Sequence, residues 1–188
     1  MNYIIKPALT LFITAVITIS ALSVVYSLTL EPIRLQAERT QENAMRAVLP
    51  QATEFKRLDD VQLSGSITGI FEAINGGESA GYVVALSPAG YGGNIDMMVG
   101  ISAQEEKITG MRILRHSETP GLGALAARES FYQRFDGKAL VPLTVVRSST
   151  AAANQISAIT SSTITSTAVT KAVNEAIEWF NTNRRGGQ

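Results

Sequence analysis

Residues 66–115 read SITGIFEAINGGESAGYVVALSPAGYGGNIDMMVGISAQEEKITGMRILR, and this stretch decides the fold. It holds four runs of strand character, at 66–74, 81–87, 94–101 and 108–115. Each is short, mostly apolar and bounded by turn residues. Asn75-Gly76-Gly77 separates the first two, 88–93 (PAGYGG) the next two, and the charged segment 103–107 (AQEEK) the last two. Connections this short join antiparallel neighbours, because parallel strands need a crossover of a dozen residues or more. An antiparallel meander follows.

Downstream the period changes. Leu125, Arg128, Glu129 and Tyr132 recur at helical intervals, which predicts a helix over 122–135. A strand is expected at 143–147. Residues 156–169, ISAITSSTITSTAV, are rich in Ser and Thr. Behind them Ala168, Val169, Ala172, Val173, Ala176, Ile177 and Phe180 share one face of an amphipathic helix. That helix is expected to start near Thr165 to Thr167, where a hydroxyl can cap free N–H groups. A helix start offers unpaired amides and a positive dipole end, a natural seat for phosphate. Thr163 lies about half a turn ahead of that start. Strands first and helices after them predict an α+β domain, a meander with covering helices.

Upstream, residues 8–30 (ALTLFITAVITISALSVVYSLTL) contain no charged residue. As a helix they span roughly 34 Å, enough to cross a hydrocarbon core and longer than the apolar part of a signal peptide. A single transmembrane helix therefore precedes the domain. Lys6 ahead of it places residues 1–7 on the cytoplasmic side and the rest outside, although Arg34 and Arg39 reduce the asymmetry. Thr10, Thr14, Thr18 and Ser20 can bond neighbouring helices or their own backbone. Residues 31–60 read as a stalk, helical from Pro32 in its first turn and stopped by Pro50. The folded domain is expected over 61–182, with a tail at 183–188.

Composition removes several classes of function. The 188 residues carry 16 basic and 16 acidic side chains, no Cys and one His. Zero net charge gives no footprint for nucleic acid. Disulfides, thiol catalysis, cysteine-ligated iron–sulfur clusters and Cys/His zinc sites are excluded within this chain, and no metal site is expected. Redox chemistry here would need a carried cofactor.

Two loops and the hydroxyl-rich stretch hold the candidate chemistry. Tyr91-Gly92-Gly93 permits a sharp turn or a close backbone approach. His116-Ser117-Glu118-Thr119-Pro120-Gly121-Leu122-Gly123 sets Pro and two Gly between a strand and a helix, specifying an irregular backbone with exposed amides. Glu118 and Thr119 add an acceptor and a hydroxyl, which suits the edge of a planar heterocycle. A cap or ion pair is the plainer role for Glu118, and a single hydrogen bond the plainer one for His116.

The Glu118–Gly123 string, followed some forty residues later by Thr160-Ser161-Ser162-Thr163-Ile164-Thr165-Ser166, resembles the covalent-flavin domain family. That family includes the G subunit of the Rnf ion-translocating ferredoxin:NAD oxidoreductase and the C subunit of the sodium-pumping NADH:quinone reductase. The compact chain is more similar to the former. The resemblance covers about 61–181 and implies FMN esterified through its phosphate to Thr163, with no catalytic residue of the chain's own. It implies cofactor contacts from Glu118, Thr119, Gly121, Leu122, Gly123, Ser162, Ile164 and Thr165. It also implies electron relay among other membrane subunits and a flavin transferase for maturation. The family pattern is Ser/Thr-Gly-Ala-Thr with Asp six residues before the modified threonine; here Ser161-Ser162 replaces Gly-Ala and Ser157 replaces Asp. A membrane-anchored scaffold without cofactor, its Ser/Thr stretch serving only as a cap, is the alternative from another class.

Overall fold

The computed structural model describes residues 2–59, 61–148 and 151–185, and the chain divides into two units, Met1–Gln41 and Glu42–Gln188. Met1 of the expected lead and the last three residues of the expected tail lie outside the described residues.

The first unit is made by α1 (Asn2–Val48), which continues into the second. The sequence predicts one helix over 8–30 and a second beginning at Pro32. The structure has one uninterrupted helix with Pro7 and Pro32 inside it. A proline removes one N–H and tends to kink a helix without always ending it. The hydroxyls of Thr10, Thr18 and Thr29 donate to carbonyls four residues back, and those of Thr14 and Ser27 to carbonyls three back. These hydroxyls thus bond their own helix backbone. Apolar residues from Ile5 to Leu30 are exposed, and the helix is long and apolar enough to cross a membrane.

In the second unit five strands form one antiparallel sheet in consecutive order: β1 (Glu54–Arg57), β2 (Ile67–Asn75), β3 (Glu78–Leu86), β4 (Asp96–Ser102) and β5 (Lys107–Arg115). The meander of β2 to β5 is the one expected. β1 is an addition, lying ahead of the expected domain start at Val61; its four residues are largely exposed, so it carries little apolar patterning. β3 is central and buried on both faces from Ala80 to Val84. Tyr82, Val84 and Leu86 face one apolar cluster, while Ala80 and Val83 face another.

The second cluster seats the end of α1. Ala44, Met45, Val48 and Leu49 pack on Phe71, Ala73, Val83 and Met98. The fit requires two paired glycines, Gly100 and Gly110. A Cβ on Gly100 would overlap the Val48 carbonyl oxygen, and one on Gly110 would stand 3.3 Å from the Val48 Cα. The Thr109 hydroxyl donates to that same carbonyl at 2.5 Å.

The opposite face carries α3 (Thr163–Phe180). Val169, Ala172, Val173, Ala176, Ile177 and Phe180 are buried as their spacing predicts; Ala168 is only half-buried, and Trp179 joins the core beside Tyr82. A buried aliphatic or aromatic side chain contributes about 1.5–3 kcal/mol. The apolar face therefore holds α3 to the sheet, and polar bonds set its register. Glu175 accepts from the Ser66 amide at 2.7 Å and its hydroxyl at 2.6 Å, while Asn174 exchanges two bonds with the Leu143 backbone.

The helix predicted over 122–135 is broken. It consists of a 3-10 turn at Gly123–Ala127, α2 (Glu129–Tyr132) and a 3-10 turn at Gln133–Phe135. Arg128 is extended, with φ −83 and ψ 149, and interrupts the helical bonding. Phe131 and Phe135 are driven into the core, so tertiary burial overrides the local helical pattern. The expected strand appears as β6 (Thr144–Val146), paired in parallel with an unforeseen β7 (Gln155–Ser157). Three residues are too few to show a period.

Gly100→Ala is expected to lower stability by about 1–3 kcal/mol, because the Val48 backbone must move. Gly76→Ala, with no atom within 4 Å and only φ +60 against it, should cost about 1 kcal/mol. Thermal unfolding of the full chain in detergent checks both. Equal losses would mean that α1 is not seated as described.

Candidate functional site

Three segments meet at one end of the sheet. The loop 88–93 joins β3 to β4, the loop 116–122 leaves β5, and 158–165 leads from β7 into α3. Glu118 draws them together. It is 6% exposed, yet both carboxylate oxygens are engaged. The Gly92 amide donates to Oε1 at 2.9 Å, and the Thr165 hydroxyl donates to Oε2 at 2.5 Å. Burial pushes the Glu118 pKa up. The Thr165, Gly92 and Tyr91 hydrogen bonds and the charge of His116 together outweigh it, and the net position is below the ordinary carboxylate range.

Glycines make room for this carboxylate. A Cβ on Gly90 would overlap Oε1, one on Gly123 would overlap Oε2, and one on Gly92 would overlap the Ser117 carbonyl oxygen. The intervening Thr119-Pro120-Gly121-Leu122 is a turn closed by the Leu122 amide on the Thr119 carbonyl at 3.1 Å. Gly121 adopts φ +78, the positive value a type II turn demands after proline.

The hydroxyl-rich segment sorts by burial. Ser162, Thr165, Ser166 and Thr170 are buried. Ser166 accepts from the Ile159 amide and donates to the Ser162 carbonyl, Thr170 donates to the Ser166 carbonyl, and the Ser162 and Thr165 hydroxyls lie 3.4 Å apart. α3 begins at Thr163, two residues earlier than the sequence predicts, so Thr163 is the first helical residue and not half a turn ahead of it. The cap position belongs to Ser162, whose side chain makes no capping bond. The expected hydroxyl cap is therefore absent, and the helix start is open to an external anion. Ser161 just before it holds φ +62, an uncommon conformation for a residue with a Cβ.

Thr163 is half-buried and borders three clefts. The largest, about 440 Å³, is lined by Glu118, Thr119, Leu122, Gly123, Ser162, Thr163, Ile164 and Thr165, with Tyr91 and Ser161. Its volume falls within the range of small-molecule sites. Eight of the nine residues singled out in the sequence thus meet around one cleft, while Gly121 shapes the turn behind it. The Glu118 acceptor and the Thr165 hydroxyl, expected to be open to a ligand, are committed to each other. Leu122, Ile164 and Tyr91 instead present exposed apolar surface, Tyr91 at 72% exposure. Tyr91 read only as part of a turn; an aromatic beside two glycines in a loop was the available signal.

A second cleft of about 360 Å³ also borders Thr163 and includes Arg147, which nothing in the sequence distinguished. Among the described residues there is no group of His and carboxylates able to hold a metal ion.

The FMN-binding domain family matches residues 90–178, and the RnfG N-terminal region matches residues 1–48. The G subunit of the proton-translocating ferredoxin:NAD(+) oxidoreductase complex of Clostridium ljungdahlii is 35% identical over 175 residues, covering 93% of this chain and 88% of the relative. The G subunit of the Na(+)-translocating ferredoxin:NAD(+) oxidoreductase complex of Acetobacterium woodii is 36% identical over 189 residues, covering 93% and 90%. The crystal structure of the C subunit of the Na(+)-translocating NADH-quinone reductase from Parabacteroides distasonis superposes with a TM-score of 0.61. It covers 80% of this chain and 94% of that one at 19% identity, a likeness of fold.

Two outcomes are expected. The Glu118 pKa lies below its unfolded value of 4.5, so its bracing is full above that pH and is lost as pH falls through the lower folded value. Glu118→Gln should cost about 2 kcal/mol at pH 7. The gap to wild type should shrink as unfolding is measured toward pH 3; a gap independent of pH would remove the charge from the account. Ser161→Gly should stabilise the chain by up to about 1 kcal/mol by relieving its positive φ, read from the same unfolding curves.

Proposed function

Because this chain belongs to the family of G subunits from ion-translocating ferredoxin:NAD(+) oxidoreductase complexes, we propose that it relays electrons through FMN esterified by its phosphate to Thr163. One observation carries the choice of residue: the Thr163 hydroxyl is on the first residue of α3, at the border of three clefts, while Ser162 and Thr165 beside it are buried and turned into the fold. Thr160 and Ser161 are exposed but precede the helix, and only Thr163 matches the last place of the family's motif.

FMN when bound supplies a ring that accepts and releases electrons, and the chain supplies its seat. The open start of α3 offers amides to the phosphate. Tyr91, Leu122 and Ile164 offer apolar and aromatic surface to the ring. Glu118 holds the two flanking loops to α3 so that these surfaces keep their spacing. A covalent link also prevents loss of the cofactor on the outer side of a membrane, where no pool would replace it. In this reading α1 anchors the chain, the domain lies on that outer side, other subunits of the complex exchange electrons with it, and a flavin transferase attaches the FMN.

Production of the full chain with a flavin transferase tests this. The denatured wild type should fluoresce as flavin on a gel and gain the mass of FMN less one water. Thr163→Ser should keep part of the adduct and Thr163→Val none. An adduct on Thr163→Ala would move the site elsewhere, and a wild type never modified would favour a scaffold without cofactor. A chain lacking residues 8–30 should be soluble and still modified.

A further inference from the structure

The two larger clefts beside Thr163 differ in charge. The 440 Å³ cleft contains the Glu118 carboxylate, held ionised by its donors, together with apolar Leu122 and Ile164. The 360 Å³ cleft contains Arg147 and no acidic residue among those that line it. A phosphodiester on Thr163 would carry one negative charge flanked by these two environments. Like charges repel across a short distance, and opposite charges attract. The anionic end of the cofactor is therefore directed away from Glu118 and toward Arg147.

Strand pairing explains why Arg147 is there. Val146 pairs with Ser157 in the parallel ribbon, and the Ala158 amide donates to the Val146 carbonyl at 2.7 Å. That register carries the next residue, Arg147, alongside the segment 158–161 that leads into Thr163. The ribbon is itself held from outside. The Arg134 guanidinium donates to the Ser157 carbonyl, and Lys138 Nζ donates to the carbonyls of Ala152, Ala153 and Gln155. Arg134 and Lys138 are thus engaged with backbone, whereas among the described residues Arg147 belongs to none of the ion pairs. A guanidinium is also the side chain best shaped to meet two oxygens of a phosphate at once.

We propose that Arg147 is the counter-ion of the phosphoester on Thr163, a positioning residue that turns the phosphate into the smaller cleft and leaves the Glu118 cleft to the ring. The proposal rests on Thr163 as the attachment residue.

The full chain, produced with a flavin transferase as wild type, Arg147→Ala and Arg147→Lys, tests it by two readouts independent of electron transfer. Arg147→Ala should take up FMN about fivefold more slowly by intact mass, the scale of one charge-assisted bond near the surface, and Arg147→Lys should recover most of the rate. On the loaded chains the phosphorus-31 resonance of the diester should move in Arg147→Ala and return toward wild type in Arg147→Lys. Circular dichroism establishes that the variants are folded; the exposed side chain makes that the expected result. If wild type is loaded and Arg147→Ala matches it in both rate and resonance, the counter-ion is overturned while Thr163 stands. If wild type never acquires the adduct, both fall together.

Discussion

One buried carboxylate organises the end of the domain where the loops after β3, β5 and β7 meet. Glu118 is reached from two directions, by the Gly92 amide and by the Thr165 hydroxyl, and each belongs to a different loop or helix. A buried carboxylate without donors is costly, because desolvation disfavours its charge. Here the donors reverse that preference, and the requirement to supply them dictates the surroundings. Gly90, Gly92 and Gly123 have no side chain because any Cβ would occupy space the carboxylate or its loop already fills. Thr165 is tied to the same requirement, so its hydroxyl faces inward while that of Thr163, two residues earlier, stands at the clefts.

The sheet transmits this arrangement to the rest of the domain. α3 cannot shift along its axis without breaking the bonds of Glu175 to Ser66 and of Asn174 to Leu143, and its apolar face keys into β2 to β5. On the other face Val48 rests where Gly100 and Gly110 leave a flat backbone surface. The position of Thr163 is thus set by contacts remote from it along the helix and the sheet together with the hydroxyl bonds around it.

The sequence made the meander legible because four strands with Gly-rich or charged turns leave few other topologies. It made the apolar face of α3 legible through its period. It did not reveal that α1 runs through Pro32, since a proline's effect depends on the neighbours of the carbonyl it deprives. The break at Arg128 escaped for a tertiary reason: Phe131 and Phe135 enter the core at the expense of a regular helix. At the site, the 118–123 string and the 160–166 string were visible as separate motifs. Tyr91 was visible only as part of a turn and Arg147 not at all, because each comes to line a cleft through a turn or a strand register that exists only after folding.

The bonds that close the site also carry a consequence for how the chain folds. Glu118 is 26 residues from Gly92 and 47 from Thr165, whereas the hairpins β2–β3, β3–β4 and β4–β5 join immediate neighbours along the chain. Short loops close at smaller entropic cost than long ones, so local hairpins precede contacts of this separation. The surroundings of Thr163 therefore exist only once the C-terminal helix is docked on the sheet. Any reaction that reads those surroundings, and not the linear motif alone, acts on molecules that have already completed their folding.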